Sequence, residues 1–211
     1  MKHRYYQVWA DGFWVEAHNP AWSDNSKLAY AWHWRFRFFT GDKARDEGAM
    51  EFLRVQLGWD ERLAQGTVLR LYEGHSDRAS SLPDAGKCKR DLVHVVSPRA
   101  KQLFDRLGLS RELAYEQYPI YTPDGKIFLQ NYYCVYYLVH ISCADERLSY
   151  FHLHADGLDE RIVLRRQLIG NHRVFLVDNH QVNVQVMRED VKEAIERAGL
   201  TGFRFEEVEV I

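Results

Sequence analysis

The 211-residue chain is predicted to be an α+β protein with mostly antiparallel sheets, hairpins and two or three packed helices. Three observations predict this class. Short segments that alternate apolar and polar residues, the pattern of half-buried strands, recur along the chain. Two pairs of such segments are separated only by turn-forming residues, which indicates hairpins. Few stretches show helical spacing, and strands joined by hairpins form antiparallel rather than parallel sheets.

The first strong strand pattern covers residues 28–38. Its aromatic residues alternate with basic ones, so the two kinds of side chain lie on opposite faces of the strand. Trp32 and Trp34 could stack on the bases of a single-stranded nucleic acid, but that needs exposed rings with basic groups beside them. A buried strand is therefore favoured, and a nucleic-acid-binding module is kept as a hypothesis.

A helix over residues 43–57 and a strand over residues 67–72 are predicted next. Residues 73–86 are rich in turn-forming residues and predict a long loop. This loop is interpreted as the boundary between an N-terminal α+β subdomain, residues 1–85, and a C-terminal α+β domain, residues 86–211.

The next helix is predicted from its start and stop signals. A short strand at residues 91–96 precedes Ser97, a residue suited to the N-cap position. Pro98 suits the first helical position, and Gly108 can end the helix in the left-handed conformation.

A first hairpin is predicted between residues 115–121 and 126–140, joined by a turn at residues 122–125. Residues 132–141 are apolar or aromatic on both faces, so they are expected to form a central strand that is covered on both sides.

A second hairpin joins residues 173–177 and 181–186. In its second strand the valines are expected to face the core and the polar side chains to face solvent. The polar side chains are Gln181, Asn183 and Gln185.

The last helix is predicted from an apolar stripe that includes Val191 and Ile195. Asp190 is expected to provide its N-terminal cap, and Gly199 to end it. In the tail that follows, phenylalanines at 203 and 205 are out of phase with valines at 208 and 210. One regular strand cannot bury both sets on one face, which predicts a bulge, a twist or a change of covering layer between them.

Residues 150–156, Tyr-Phe-His-Leu-His-Ala-Asp, are the strongest catalytic candidate. On a strand, His152 and His154 point to the same side, and with Asp156 they match most of the zinc signature of metallo-β-lactamase-like hydrolases. Gly157 stands where that signature has its last histidine. The favoured interpretation is a strand with solvent-facing histidines, and the alternative is a metal-dependent hydrolase centred on His152, His154 and Asp156. Its further ligands would be His172, Asp178 and His180.

Other catalytic motifs are weaker. The sequence contains no glycine-rich phosphate loop and no Gly-x-Ser-x-Gly motif. His140 and Cys143 would lie on opposite faces of a strand, which is poor geometry for a nucleophile pair. Glu206, Glu207 and Glu209 form a solvated cluster rather than an acid–base pair held in a cleft, and they are candidate contacts for a partner. No catalytic residue, metal or cofactor is assigned.

Composition and charge argue against several classes of protein. The 28 lysine and arginine residues nearly balance the 30 aspartate and glutamate residues, which disfavours a nucleic-acid-binding face. No apolar stretch resembles a signal peptide or a membrane span, so a cytoplasmic protein with no membrane partner is expected. The three cysteines include no Cys-x-x-Cys pair, which predicts reduced thiols.

Three stretches resemble one known family. Residues 96–104 form a strand followed by a serine-capped helix, and residues 131–145 an aromatic strand that ends in Cys-Ala-Asp. Residues 190–208 combine a helix, an Ala-Gly-Leu-Thr-Gly turn and a Phe-x-Phe strand. In this order they resemble a bacterial immunity-protein family of polymorphic toxin systems, with Arg188 where the family has a capping serine.

The resemblance covers residues 90–211 and implies a function. It implies a non-enzymatic cytoplasmic protein that binds and neutralises a cognate protein toxin. It implies no catalytic residue and no cofactor, and it does not extend to residues 1–85.

Overall fold

The computed structural model describes residues 3–12, 14–18, 68–71, 82–88, 94–122, 127–154, 157–179 and 184–211. The helices of these residues are α1 (Pro98–Arg106), α2 (Arg166–Ile169) and α3 (Glu189–Arg197). None of them is long and apolar enough to cross a membrane. The strands are β1 (Tyr5–Ala10), β2 (Trp14–His18), β3 (Val68–Leu71), β4 (Ala85–Cys88), β5 (His94–Val96), β6 (Leu113–Tyr121), β7 (Ile127–Tyr137), β8 (His140–Ile141), β9 (Tyr150–His154), β10 (Gly157–Arg161), β11 (Val163–Leu164), β12 (Val174–Val177), β13 (Val184–Arg188) and β14 (Phe203–Val210).

The strands form three groups. A closed barrel has the order β2-β3-β6-β7-β5-β4, a six-stranded sheet has the order β11-β14-β1-β13-β12-β8, and β9 and β10 form a separate hairpin. Four pairings are parallel: β11 with β14, β12 with β8, β2 with β4 and β3 with β6. The described fold is thus largely sheet with a few helices, and the prediction of mostly antiparallel sheets is confirmed only in part.

Strands from both ends of the chain share the six-stranded sheet and the barrel. Strand β1 lies between β14 and β13 in the sheet, while β2 and β3 complete the barrel with strands from the C-terminal half. The predicted loop at residues 73–86 ends earlier than expected because β4 begins at Ala85. The division into domains after residue 85 stays a prediction. The elements predicted at residues 28–38 and 43–57 lie outside the described residues.

Two clusters of buried side chains cover opposite faces of the sheet. The first joins the sheet to the barrel, and it contains Phe104 of α1 and Ile195 of α3, each 1% exposed. The second lies on the other face and includes Phe175 of β12 and Ile169 of α2. Because neighbouring residues of β12 enter different clusters, this sheet is buried on both sides.

The first predicted hairpin is confirmed. Strands β6 and β7 pair antiparallel, with Leu113 opposite Tyr137, and residues 132–137 are buried or half-buried at every position. The strand ends at Tyr137, earlier than predicted, and the chain then leaves the barrel so that β8 can pair with β12. Residues 123–126, which include most of the predicted turn, lie outside the described residues.

The second hairpin is also confirmed, but the prediction for Gln185 is wrong. Strands β12 and β13 pair antiparallel, and Val184 and Val186 are buried as predicted. Gln185 is only 5% exposed although it was expected to face solvent. The physical reason is the two-sided burial of the sheet, because both faces of an interior strand then lie in the protein. Gln181 and Asn183 lie outside the described residues.

Helix α1 begins as predicted. Ser97 is its N-cap, and the Ser97 hydroxyl accepts a hydrogen bond from the Ala100 N–H at 3.1 Å. The same hydroxyl donates to the buried carboxylate of Asp84 at 2.7 Å, and the other oxygen of Asp84 accepts from the Thr201 N–H at 3.0 Å. Gly108 then adopts the left-handed conformation with φ of 71°. The helix cap is therefore tied through Asp84 to the turn before β14.

Substituting Ser97→Ala is expected to lower the free energy of unfolding by about 1–2 kcal/mol, because the helix loses its cap and Asp84 loses a donor. Urea unfolding measures the change. Ser97→Thr keeps the hydroxyl and serves as the matched control, so it should lose much less. Equal losses for the two variants would show that the hydroxyl contributes little.

Helix α3 begins differently from the prediction. Its N-cap is Arg188 without a side-chain cap, and Asp190 lies inside the first turn. The Asp190 carboxylate instead accepts hydrogen bonds from Arg188 Nε at 2.7 Å and Arg173 Nε at 2.9 Å. Burial acts to raise the pKa of Asp190, but the two arginines outweigh it and hold the pKa below its usual range. The acidic residue therefore joins α3 to β12 and β13 instead of capping it, while Gly199 ends the helix region with φ of 60°, as predicted.

The tail forms one continuous strand. Strand β14 pairs with β1 in an unbroken register from Phe203 opposite Ala10 to Val208 opposite Tyr5. Phe203 and Phe205 pack on the first cluster, whereas Val208 belongs to the second, on the opposite face. Of the three predicted possibilities, the change of covering layer is the correct one.

Candidate interaction surface on strand β14

The three C-terminal glutamates lie on β14 with exposed side chains. The Glu207 carboxylate is 3.7 Å from Arg4 Nη1, and the Glu209 carboxylate is 2.7 Å from Arg161 Nη2. These side chains are all about half exposed, and surface ion pairs of this kind contribute little. Glu206 forms no ion pair with any described residue. Of the predicted partner contacts, Glu206 is therefore the one whose charge is most available.

One face of β14 carries an aromatic ridge. The rings of Phe203 and Phe205 are stacked, with centroids 6.2 Å apart and planes 14° apart. Phe104 of α1 meets Phe203 edge to face at 6.2 Å. The Lys192 ammonium lies 5.9 Å from the Phe205 ring centroid and 5.1 Å from that of Tyr6. Both phenylalanines are only partly buried, so part of this ridge is available to a partner.

The other face of β14 carries alternating charges. The Arg204 guanidinium stacks on Trp9 at 4.4 Å, and its Nε lies 3.4 Å from Asp11. Glu206 lies directly opposite Gln7 of β1. Burial raises the pKa of nearby Glu160 in β10, a hydrogen bond from Gln7 acts to lower it, and the negative charge of Glu206 adds to the increase. This face thus presents one basic and one acidic group, two residues apart on an exposed strand.

The backbone of β14 has one partly open edge. Strand β11 pairs with β14 only at Glu209 and Val210, so the described strands leave residues 203–208 without a neighbour on that side. The Asp11 N–H donates a hydrogen bond to the Gly202 C=O at 2.8 Å, so the backbone groups of Gly202 point toward β1. In an antiparallel ladder the backbone groups of every second residue point to the same neighbour. The N–H and C=O groups of residues 204, 206 and 208 therefore also point toward β1. The Ile211 N–H donates to the Leu164 C=O of β11, on the other side of β14, at 2.9 Å. The backbone N–H and C=O groups of the odd-numbered residues therefore point toward the open edge.

A buried histidine lies where the barrel meets the sheet. His94 is 3% exposed, and its Nδ1 is 3.0 Å from the hydroxyl of Tyr137. Burial, followed by the positive charge of Lys87, lowers the pKa of His94 to about 4, while Asp11 acts in the opposite direction. Burial also raises the pKa of Tyr137, so the hydroxyl keeps its proton and shares a hydrogen bond with the neutral ring, in a direction set by the tautomer of His94. His94 is therefore a neutral, structural hydrogen-bond partner of Tyr137 at neutral pH.

The stability of the protein is expected to fall between pH 6.5 and pH 4 because of His94. The pKa of His94 is lower in the folded protein than in the unfolded chain. Its full contribution to the free energy of unfolding is therefore present above pH 6.5. That contribution is lost as the pH falls toward 4, because the unfolded chain binds the proton first. The difference between the unfolded and folded pKa of His94 corresponds to about 3 kcal/mol in the free energy of unfolding. His94→Asn provides the comparison, since the side-chain amide can form a hydrogen bond with Tyr137 without titrating. Unfolding in urea at several pH values should give a flatter profile for the variant, and identical profiles would contradict the assignment.

The candidate metal ligands are not brought together in the described part of the chain. The backbone of β9 confirms the predicted strand through His152 and His154. The structure does not describe the side chains of these two histidines, and Asp156 and His180 lie outside the described residues. His172 lies 3.8 Å from Glu112, and Asp178 accepts a hydrogen bond from Ser142 at 2.7 Å. No group of three or more histidine, cysteine, aspartate or glutamate side chains suited to a metal occurs among the described residues.

The cysteine candidate is poor on chemical grounds as well. Cys143 is completely buried in the second cluster, and burial raises the pKa of its thiol to about 12. The His140 ring instead bonds to the backbone oxygen of Tyr137 at 2.9 Å. A protonated, inaccessible thiol is not a nucleophile, which agrees with the interpretation from spacing.

Comparison with known proteins supports one of the interpretations made from the sequence. Residues 80–210 match the family model described as an immunity protein family, Imm11. The match covers more than half of the chain, from β4 to β14, and leaves out β1, β2 and β3. No curated protein matches the chain.

Proposed function

The chain belongs to the Imm11 immunity protein family, and on this premise we propose that it neutralises a cognate bacterial toxin by binding it, without catalysing a reaction. The family match over residues 80–210 is the observation that carries the proposal. The proposal includes the cytoplasm as the place of action, a protein toxin as the partner, and neither nucleic acid nor membrane as a partner.

The scaffold suits inhibition by occlusion. An inhibitor that covers an active site needs a surface of about 800 Å² on each partner and a backbone that does not yield on contact. The first buried cluster joins the barrel, the sheet and the helices α1 and α3, and the second packs α2 on the other face of the sheet, which supports such rigidity. We place Glu206, Glu207 and Glu209 among the contacts, where they would favour a basic patch on the toxin.

Co-expression with the product of the neighbouring gene, as the candidate toxin, tests the proposal. The chain should restore growth and should co-purify with the toxin. An inactive toxin variant with an intact fold should still bind, because occlusion requires contact and not turnover. Growth arrest with no recoverable complex would contradict the proposal.

The metal-dependent hydrolase stays as the alternative because β9 does place His152 and His154 at alternate positions of one strand. Elemental analysis of the purified protein distinguishes the two functions. Toxin binding without catalysis predicts no bound zinc, iron or manganese and no effect of chelation on neutralisation. A full equivalent of metal, lost together with activity in a His152→Ala and His154→Ala double variant, would favour the hydrolase.

A further inference from the structure

We propose that β14 pairs edge to edge with β14 of a second copy of this chain, so that two six-stranded sheets join in a symmetric dimer. The inference goes beyond toxin neutralisation and competes with it for Glu206, which faces Arg204 of the second copy in the dimer and is available to the toxin only in the monomer. It rests on three features of residues 203–207: outward backbone groups, self-complementary charges on one face and aromatic rings on the other.

The backbone groups make strand addition feasible. N–H and C=O groups of Phe203, Phe205 and Glu207 point to the open edge, where no described strand pairs with them. An exposed edge of this kind is a template for another strand. If two copies pair antiparallel about Phe205, then Phe203 of each copy lies opposite Glu207 of the other. In that register all of these outward groups find partners.

The charges select the same register. When the two Phe205 residues face each other, Arg204 of each copy lies opposite Glu206 of the other. These are non-hydrogen-bonded positions, where facing side chains approach most closely and opposite charges stabilise the pair. A shift of the register in one direction places Glu206 opposite Glu206, and a shift in the other places Arg204 opposite Arg204. Like charges directly opposite each other are destabilising, so the strand is complementary to itself in a single register.

The existing contacts place the two charged groups differently. Trp9 of β1 and Asp11 just after it hold the Arg204 guanidinium over β1, 4.4 Å from the Trp9 ring centroid and on the side away from the open edge, so Arg204 turns toward the edge to meet Glu206 of the second copy. Glu206 has no ion-pair partner among the described residues, so an arginine from a second copy would not displace one. Arg4, 3.7 Å from Glu207, offsets the negative charge that would otherwise accumulate at the ends of the paired strands.

The aromatic face adds contact area. A two-fold axis perpendicular to the sheet keeps equivalent faces of the two copies on the same side. Phe205 of one copy therefore meets Phe205 of the other, beside the stacked Phe203 rings. Because these rings are only partly covered within one chain, pairing would remove the exposed part from water.

Charge exchange in the full chain tests the dimer. Sedimentation equilibrium over micromolar concentrations should show a dimer for the wild type. Glu206→Arg and Arg204→Glu each place like charges opposite each other, so each should raise the dimer dissociation constant by about tenfold or more. When the two variants are mixed in equal amounts they should pair, because every introduced charge then faces its opposite.

The controls separate dimerisation from folding and from toxin binding. Circular dichroism and thermal unfolding report on folding. If Arg204→Glu does not fold, then Glu206→Gln and Glu206→Arg must weaken the dimer in that order. A monomeric wild type, a dimer that Glu206→Arg leaves intact, or folded variants that do not pair would each overturn the proposal. A monomeric wild type whose binding to the toxin is abolished by Glu206→Arg would also overturn the proposal, since the toxin and not a second copy would then bind this edge.

Discussion

Substituting Gly202→Ala is expected to destabilise the protein by about 3 kcal/mol or more. Gly202 has φ of 86°, a conformation in which a side chain is strained. A Cβ at this position would also overlap the carbonyl oxygen of Ala85 and lie 3.0 Å from the Pro83 Cβ. Backbone atoms cannot rotate away as a side chain can, so β4 would have to move from the turn before β14. Urea unfolding of the purified variant measures the loss.

Gly108→Ala is the matched control for that substitution. Gly108 also has a left-handed conformation, with φ of 71°, but no heavy atom lies within 4 Å of a Cβ built there. It should therefore lose only the conformational cost, about 1 kcal/mol. The difference between the two variants isolates the close approach of β4 to the turn. Equal losses would show that this approach does not limit stability.

Phe104→Ala is expected to lower the free energy of unfolding by about 3–5 kcal/mol. The ring is 1% exposed in the cluster that joins the barrel, the sheet and α3. It also meets Phe203 edge to face at a centroid distance of 6.2 Å, so its loss leaves a cavity beneath the aromatic ridge of β14. Because a domain is stable by only about 5–15 kcal/mol, much of the total would be lost. Chemical denaturation at neutral pH is the measurement.

Two comparisons make this result interpretable. Phe104→Leu keeps most of the apolar volume and should cost about 1 kcal/mol. Leu168→Ala removes an apolar side chain that is 46% exposed on α2, and its effect should stay within about 0.5 kcal/mol. A loss for Phe104→Ala no larger than that of Leu168→Ala would mean that this cluster is not the main core.

Signals carried by a few neighbouring residues predicted local structure well. Ser97 and Gly108 bound α1 as expected, and both predicted hairpins of the C-terminal half are present. A cap or a turn depends on hydrogen bonds and backbone angles within a few residues, so the local sequence contains the information. Asp190 is the exception. Two arginines that are close only in the fold draw its carboxylate away from the helix end.

Burial was predicted less well because alternation does not show how many layers cover a sheet. Gln185 and Val186 alternate as in a strand with one solvent face, yet both are buried. The tail shows the same limit of sequence periodicity. Phe205 and Val208 are out of phase in the sequence because different clusters cover them on opposite faces of the sheet. In each case the decisive neighbours come from distant parts of the chain.

Only part of the candidate interaction surface on β14 could be predicted from the sequence. The exposed glutamates of β14 were identified as possible contacts, and the family resemblance over residues 90–211 agrees with the match over residues 80–210. The sequence did not indicate that no described strand pairs with the edge of β14 beside Phe203 to Glu207, because strand order and hydrogen-bond parity are properties of the assembled sheet.

The sequence by itself determined the limits of α1, the two predicted hairpins and the family, since caps, turns, periodicities and motifs are properties of neighbouring residues. Only the tertiary structure decided that β1 lies between β13 and β14, and that the barrel closes by pairing β2 with β4. It also decided that Arg204 and Glu206 share one exposed face, beside an edge with which no described strand pairs. These features depend on contacts between residues far apart in the chain. Such contacts form only where the burial of apolar surface compensates for the entropy lost in bringing distant segments together.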